Sequence, residues 1–212
     1  MLQTGIVGIG NTGNQIALLA HNKMDIPVIA INSSEKDLDS LPNNIPKRLL
    51  KDKTGLSLGA GKDRLTAKTL LKESLNSILS DQEIISTLKN LDVLFVISST
   101  GGGTGSGTAP LMYEILSKTF RDVKVILVGV LPTIDETLDS QLNTIGYLKE
   151  LYKTLENPTY MLYDNGKLNV PYHELLQKVN DEVIEDIDVI RCKYNFTTSL
   201  DSIDDKDAMR IL

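Results

Sequence analysis

Ten consecutive residues, Ser99-Thr100-Gly101-Gly102-Gly103-Thr104-Gly105-Ser106-Gly107-Thr108, carry the densest chemical signal in the chain. They follow Asp92 to Ser98, an apolar run of buried-strand length. They precede Ala109 to Phe120, where Leu111, Met112, Ile115, Leu116 and Phe120 fall at helical spacing. Strand, glycine-rich loop, helix is the order that aims several backbone N–H groups and the positive end of a helix dipole at one spot. The chemistry this offers is anion binding, and the expected anion is phosphate. Glycine keeps the approach to the loop open, while Thr104, Ser106 and Thr108 add hydroxyl donors without bulk. No Gly-Lys-Ser/Thr follows, so the lysine of a Walker A sequence is missing. Neutralising charge must come from backbone dipoles, a metal ion or elsewhere in the chain.

Two further loops could share the task. Gly8-Ile9-Gly10-Asn11-Thr12-Gly13-Asn14 follows a strand from Leu2 to Gly8 and opens a helix from about Gln15 to Asn22. Its G-x-G-x-x-G spacing suits a nicotinamide enzyme nearly as well as a nucleotide hydrolase. A nicotinamide enzyme places an acid for the ribose after its second strand, and here Ile26 to Ile31 runs into Asn32-Ser33-Ser34, with no carboxylate before Glu35. Gly8, Gly10 and Gly13 are therefore expected to line a second side of a phosphate site. The third loop, Gly59-Ala60-Gly61-Lys62-Asp63-Arg64, brings two cations. Lys62 and Arg64 are either solvated residues at a helix start, or Lys62 supplies the positive charge that the main loop lacks.

The elements that must position these loops follow from the apolar periodicity. Ser34 is a helix cap for a short helix to Leu41, and Arg48-Leu49-Leu50 is a short edge strand. Leu65 to Leu79 is an amphipathic helix, Asp81 to Leu91 adds a further turn or two, and Val123 to Leu131 is a buried strand. A helix runs from Pro132–Asp139 to about Leu155, Thr159 to Tyr163 is a short strand, and Tyr172 to about Tyr194 is a long helix with Leu175, Leu176, Val179, Val183, Ile187 and Ile190 near one face. Long apolar strands alternating with helices predict an α/β fold, a doubly wound, mostly parallel Rossmann-like sheet with helices on both faces plus a long central helix. Every loop named above then sits at a strand's carboxyl end, where such sheets bind ligands. The 212 residues, 41% hydrophobic and 24% charged, supply an ample core. A net charge of −6 argues against direct nucleic-acid binding. The single cysteine, Cys192, precludes an internal disulfide, and no apolar run approaches membrane-spanning length. A cytoplasmic location without membrane contact is expected.

Gly101-Gly102-Gly103-Thr104-Gly105-Ser106-Gly107 matches the GGGTG[ST]G signature of the tubulin/FtsZ superfamily of GTPases, and the resemblance extends over essentially the whole chain. Ala30 to Leu41 is closer in wording to the plasmid- and phage-borne TubZ proteins than to FtsZ, and TubZ proteins carry a run similar to Gly61-Lys62-Asp63-Arg64. The resemblance implies GTP/GDP with Mg2+ as ligands. It implies contacts from Gly10, Asn11, Thr12, Asn14, Asn32, Gly59, Ala60, Gly61, Lys62, Gly101, Gly102, Gly103, Thr104, Gly105 and Ser106. Glu136 stands where the family has a ribose-contacting glutamate, although an acidic first-turn residue favouring the helix dipole reads the same way. The arginine that follows it in FtsZ is Ser140 here. Asn165 aligns with an asparagine touching guanine, in an Asp-Asn-Gly context that a plain turn also demands. Asn180-Asp181 matches the pair on the central helix. A carboxylate there accepts from N1 and N2 of guanine but meets an acceptor at N1 of adenine. The aromatic that stacks on the base in FtsZ is replaced by Leu176 or Gln177, with Tyr172 a conceivable substitute.

Asp201 and Asp204 keep two acidic positions of the loop that, in the family, hydrolyses the neighbouring subunit's GTP, while Ser199 and Ser202 replace its asparagine and aromatic. An acidic helix-capping linker would have similar composition. The implied organisation is a GTP-binding domain over 1–171, a central core helix over 172–196, and over 197–212 the catalytic loop and the start of a second domain, at which the chain looks cut. The implied activity is GTP hydrolysis switched on by head-to-tail self-assembly, with a separate DNA-binding adaptor in plasmid or phage DNA segregation. A non-polymerising nucleotide-binding regulator and, more distantly, an NAD(P)-dependent oxidoreductase are the rival readings. His21 and His173 lack any evident partner for the latter's acid–base chemistry.

Overall fold

The structure, a computed structural model, describes residues 1–57, 59–153, 155–167 and 172–192. Six strands, β1 (Thr4–Ile9), β2 (Val28–Asn32), β3 (Lys47–Leu49), β4 (Val93–Ser99), β5 (Lys124–Leu131) and β6 (Tyr160–Asp164), form one sheet in the order β3-β2-β1-β4-β5-β6. Every pairing is parallel. The chain winds outward from β1 to β3, crosses back to β4 and winds outward again to β6. The order therefore reverses between β1 and β4, paired from Thr4↔Val93 to Ile9↔Ser98, and a crevice is expected at their carboxyl ends.

Among the described residues seven α-helices cover the sheet: α1 (Gly10–Met24), α2 (Glu35–Asp39), α3 (Arg64–Leu79), α4 (Gln82–Leu88), α5 (Gly103–Thr119), α6 (Leu138–Lys153) and α7 (Tyr172–Cys192). Side chains of the central strands alternate between two cores. Val93, Phe95 and Ile97 of β4 join Ile16 and Ala20 of α1 and Val179, Val183 and Ile187 of α7 on one face. Leu94 and Val96 join Leu71 of α3, Met112 and Leu116 of α5 and Tyr147 and Leu151 of α6 on the other. Burial on both faces is why these strands read as unbroken apolar runs. Of the apolar stripe expected on α7, Leu176 is exposed while Leu175, Val179, Val183 and Ile187 are buried.

Helices α1 and α5 begin earlier than the apolar periodicity indicates, at Gly10 and Gly103, so the glycine motifs form the first turns of helices. Apolar periodicity cannot register a glycine turn, because glycine contributes no face. Several of these glycines serve packing, which corrects the expectation that all of them keep a ligand's approach open. A Cβ on Gly13 would lie 2.1 Å from the carbonyl oxygen of Ile97, and one on Gly8 would lie 2.5 Å from the carbonyl oxygen of Gly13. Helix α1 thus rests directly on the sheet backbone. Likewise a Cβ on Gly107 would meet the Arg64 carbonyl oxygen at 2.7 Å, and one on Gly105 would meet the Ser98 side chain at 2.9 Å.

Gly13→Ala is therefore expected to lower the unfolding free energy by about 3 kcal/mol, since backbone faces backbone and neither can yield. Gly55 has open space around it and φ of +84°, so Gly55→Ala should cost only left-handed strain, about 1 kcal/mol. Urea denaturation of the two variants measures the difference.

Candidate functional site

At the carboxyl ends of β1 and β4 lies a cleft of about 410 Å³. Its walls come from Ile9 to Thr12, Asn32 to Ser34, Asp37, Gly59 to Lys62, Ser99 and Gly102 to Gly105. Four chain segments, from the ends of β1, β2 and β4 and from the loop before α3, therefore meet where the strand order reverses.

The helices opening onto this cleft differ from their neighbours at the N-terminus. Ser34 caps α2, accepting from the Asp37 N–H, and Asp63 and Asp81 cap α3 and α4. Neither α1, preceded by Ile9, nor α5, preceded by Gly102, has a side-chain cap, and neither carries an acid in its first turn. Two sets of helix-terminal N–H donors are thus left for something else. The two starts also touch. Gly10 has φ of +73°, and a Cβ there would lie 3.2 Å from the Gly105 nitrogen. Both dipoles converge on one small volume, an arrangement suited to a polyphosphate.

Hydrogen bonds among side chains hold this geometry. The Asn32 Oδ1 accepts from the N–H groups of Ser33 and Ser34 at 2.8 and 3.3 Å, and its Nδ2 donates to Asp37 at 3.1 Å. Asp37, on α2 beyond the Asn32-Ser33-Ser34 stretch, thus places a carboxylate on the cleft wall. Ser33 and Thr104 share a hydroxyl–hydroxyl bond of 2.6 Å that ties the β2 loop to the first turn of α5. Ser106 donates to the Gly102 carbonyl and Thr108 to that of Thr104, and both are buried, so only Thr104 of the three hydroxyls faces the cleft. Arg64 is neither solvated nor at the cleft. Its guanidinium donates to the Ser106 carbonyl at 2.9 Å and pairs with Glu150 at 3.1 Å.

The Asp63 carboxyl is held below the usual range by the Thr66 hydroxyl and by the N–H groups of Leu65 and Thr66. A lowered pKa means that the α3 cap is intact at neutral pH and loosens as pH falls through that value.

Asn143 is a positioning residue that sequence reasoning missed. Its Nδ2 donates to the carbonyls of Lys62 and Gly101 at 2.9 and 3.2 Å, with Gly102 at 3.4 Å, joining the third loop to the glycine loop. The available signal was an amide on the buried face of α6, beside Thr144 and Tyr147.

Of the remaining expected site residues, Gly101 packs on Pro132 and Ser140 next to the cleft. Asn14 is buried on α1 with Nδ2 on the Ile31 carbonyl at 3.3 Å. Glu136 precedes α6 in a loop, not in a helical first turn, because the helix starts at Leu138. Asn165 lies in the 3-10 turn after β6, buried, with Oδ1 lacking any partner among the described residues. Asp181 pairs with Lys23 of α1 at 2.6 Å, and its neighbour Asn180 is half-buried. Glu136, Asn165, Asn180 and Asp181 do not line the cleft. Asp201 and Asp204, with the whole of 197–212, lie outside the described residues.

The family described as "Tubulin/FtsZ family, GTPase domain" matches residues 3–170. The chain belongs to this family. Tubulin-like protein CetZ of Pyrococcus horikoshii is 28% identical over 189 residues, covering 86% of this chain and 50% of the relative. The chain therefore spans about half the length of the curated relatives it matches. Two solved structures share the fold. TubZ of Clostridium botulinum phage c-st superposes with a TM-score of 0.78 at 20% identity, covering 99% of this chain and 65% of that one. CetZ2 of Haloferax volcanii, a GTPγS-bound protofilament, superposes at 0.77 and 23% identity, covering 93% and 61%. CetZ proteins thus stand beside the TubZ proteins that the sequence resembles. No described helix is long and apolar enough to cross a membrane.

Replacing Asn143 tests the tie between the loops. Asn143→Ala leaves buried carbonyls without a donor and should cost about 2 kcal/mol, and Asn143→Asp, which turns a negative charge toward them, should cost more. Urea midpoints, with hydrogen exchange of the 59–63 amides, would register both effects.

Proposed function

We propose that this chain binds GTP and GDP in the cleft and hydrolyses GTP when a second copy, stacked head to tail, completes the site. The observation that carries the reading is the pair of uncapped helix starts converging at Gly10 and Gly105. The N–H groups of Gly10, Asn11 and Thr12 on one side and of Gly102 to Gly105 on the other would receive the phosphates, with the Thr104 hydroxyl between them. Gly59, Ala60 and Gly61 close the outer wall, next to the terminal phosphate. The residues fit the nucleotide in one further respect: Asn165 keeps a buried amide oxygen, without a partner among the described residues, able to accept from a guanine amine. Asn180 and Asp181 would complete base recognition once Asp181 leaves its exposed pair with Lys23.

Among the described residues no cluster of three metal-ligating side chains exists. A Mg2+ would therefore be held chiefly by phosphate oxygens and water, with Asp37 the carboxylate on the cleft wall. It would offset phosphate charge.

Phosphoryl transfer needs positioning and charge stabilisation more than covalent help from the protein. This chain supplies both on the phosphate side, and among the described residues lining the cleft the one carboxylate is Asp37, bonded to Asn32. Asp201 and Asp204 of the next molecule would orient the attacking water and take its proton. An isolated subunit would then hold nucleotide and turn over slowly. The protofilament formed by CetZ2 supports assembly as the switch. Segregation of plasmid or phage DNA through a separate adaptor is the finer reading, supported by the TubZ likeness and by a net charge of −6 unsuited to binding DNA directly.

Calorimetry should show GTP and GDP binding, with ATP weaker. Asp181→Ala should erase most of that preference, about tenfold or more. In the full-length protein, GTP should drive pelleting, and Asp201→Ala should pellet normally while hydrolysing about 100-fold more slowly. Equal pelleting without nucleotide would defeat the assembly switch.

A further inference from the structure

Helix α5, whose first turn faces the cleft, carries a proline in its interior, Pro110. Proline has no N–H, so the carbonyl one turn back, that of Ser106, loses its intrahelical donor. Ser106 is fully buried, and solvent does not make up the loss. The replacement comes from another helix. Arg64 of α3 donates to the Ser106 carbonyl from both Nη2 and Nε, at 2.9 and 3.3 Å.

Helix α6 is shaped to admit this guanidinium. Gly146 stands inside α6, where glycine is a poor helix former. A Cβ there would lie 1.9 Å from Nη1 of Arg64 and 2.9 Å from its Cζ. One turn further along, Glu150 pairs with Nη2 of Arg64 at 3.1 Å and also with Lys68. A proline and a glycine inside helices are each unfavourable alone. Together with Glu150 they form a niche for a planar group with several N–H donors, which arginine fills and lysine does not.

We infer that Arg64 is a positioning residue for the bound phosphates: its guanidinium replaces the N–H that Pro110 lacks and so keeps the first turn of α5 aimed into the cleft. The proline ring crowds the Ser106 carbonyl and would otherwise bend the helix there, directly behind Gly103, Thr104 and Gly105. Arg64 also braces that turn with its backbone, since a Cβ on Gly107 would lie 2.7 Å from the Arg64 carbonyl oxygen. The guanidinium does not line the cleft and acts through Ser106 alone. The inference rests on the cleft holding a guanine nucleotide.

Calorimetry with GTP and with GDP on the full-length protein tests it, in a double-mutant cycle of Arg64→Met and Pro110→Ala. Arg64→Met keeps an aliphatic stem and removes every donor, while Lys68 remains to pair with Glu150. It should weaken both nucleotides by about tenfold, part of the worth of a charge-assisted hydrogen bond to phosphate. Pro110→Ala returns a backbone N–H to the Ser106 carbonyl, so combined with it Arg64→Met should cost less than about twofold. Gly146→Ala displaces the guanidinium without removing it and should weaken binding in the same way, again relieved by Pro110→Ala. A merely structural tie between α3 and α6 predicts a lower Tm in Arg64→Met, with no relief of the binding loss by Pro110→Ala. Undiminished affinity in Arg64→Met, or a loss of equal size with and without Pro110→Ala, overturns the inference and leaves the nucleotide reading standing. Should Arg64→Met not fold, the cycle of Gly146→Ala with Pro110→Ala decides by the same two outcomes. If the unaltered protein binds neither nucleotide, both fall together.

Discussion

The close approach of two helix starts at the centre of the sheet is the constraint on which the rest depends. Helices α1 and α5 follow adjacent parallel strands, and their first turns come so near that a Cβ on Gly10 would lie 3.2 Å from the Gly105 nitrogen. Like dipole ends repel, so this contact is unfavourable until a negative charge lies between them. The absence of side-chain caps on these two helices, against capped neighbours, leaves both sets of donors pointing into the cleft. Much of the surrounding chemistry serves to hold that unfavourable arrangement in place.

The holding is done by residues of ordinary type. Asn143 joins two loops through their carbonyls, Asn32 shapes the β2 loop through two N–H groups and Asp37, and Arg64 bridges the Ser106 carbonyl to Glu150. None adds strong charge to the cleft floor. The site is preorganised backbone supported by side chains. On the function proposed above, carboxylates from a second molecule would complete the site, and hydrolysis would then follow assembly.

Features fixed by near neighbours in sequence differ from those fixed by distant ones. Ser34 was legible as a cap because its hydroxyl acts three residues away, on Asp37. The buried strands were legible because burial on both faces leaves no polar interruption. Helix starts at Gly10 and Gly103 were not, since glycine carries no periodicity. For Lys62 and Arg64 a solvated helix start stood as an alternative, yet one lines the cleft and the other is anchored by Ser106 and Glu150. Only the fold puts Glu150 there. Nothing local to Asn143 marks its three carbonyl partners, which lie 41 to 81 positions away.

The sequence by itself determined the class of fold and the family, because alternating apolar runs and a glycine heptapeptide act over a few residues. Tertiary structure decided why each glycine is there. Gly10 lies at the cleft, whereas Gly8, Gly13 and Gly107 sit where backbone meets backbone with no room for a Cβ. It also decided which polar groups face the cleft and which are consumed in holding it. The physical reason is that a backbone donor's direction and a side chain's partner are set by segments distant in sequence, and those meet only once the sheet has formed.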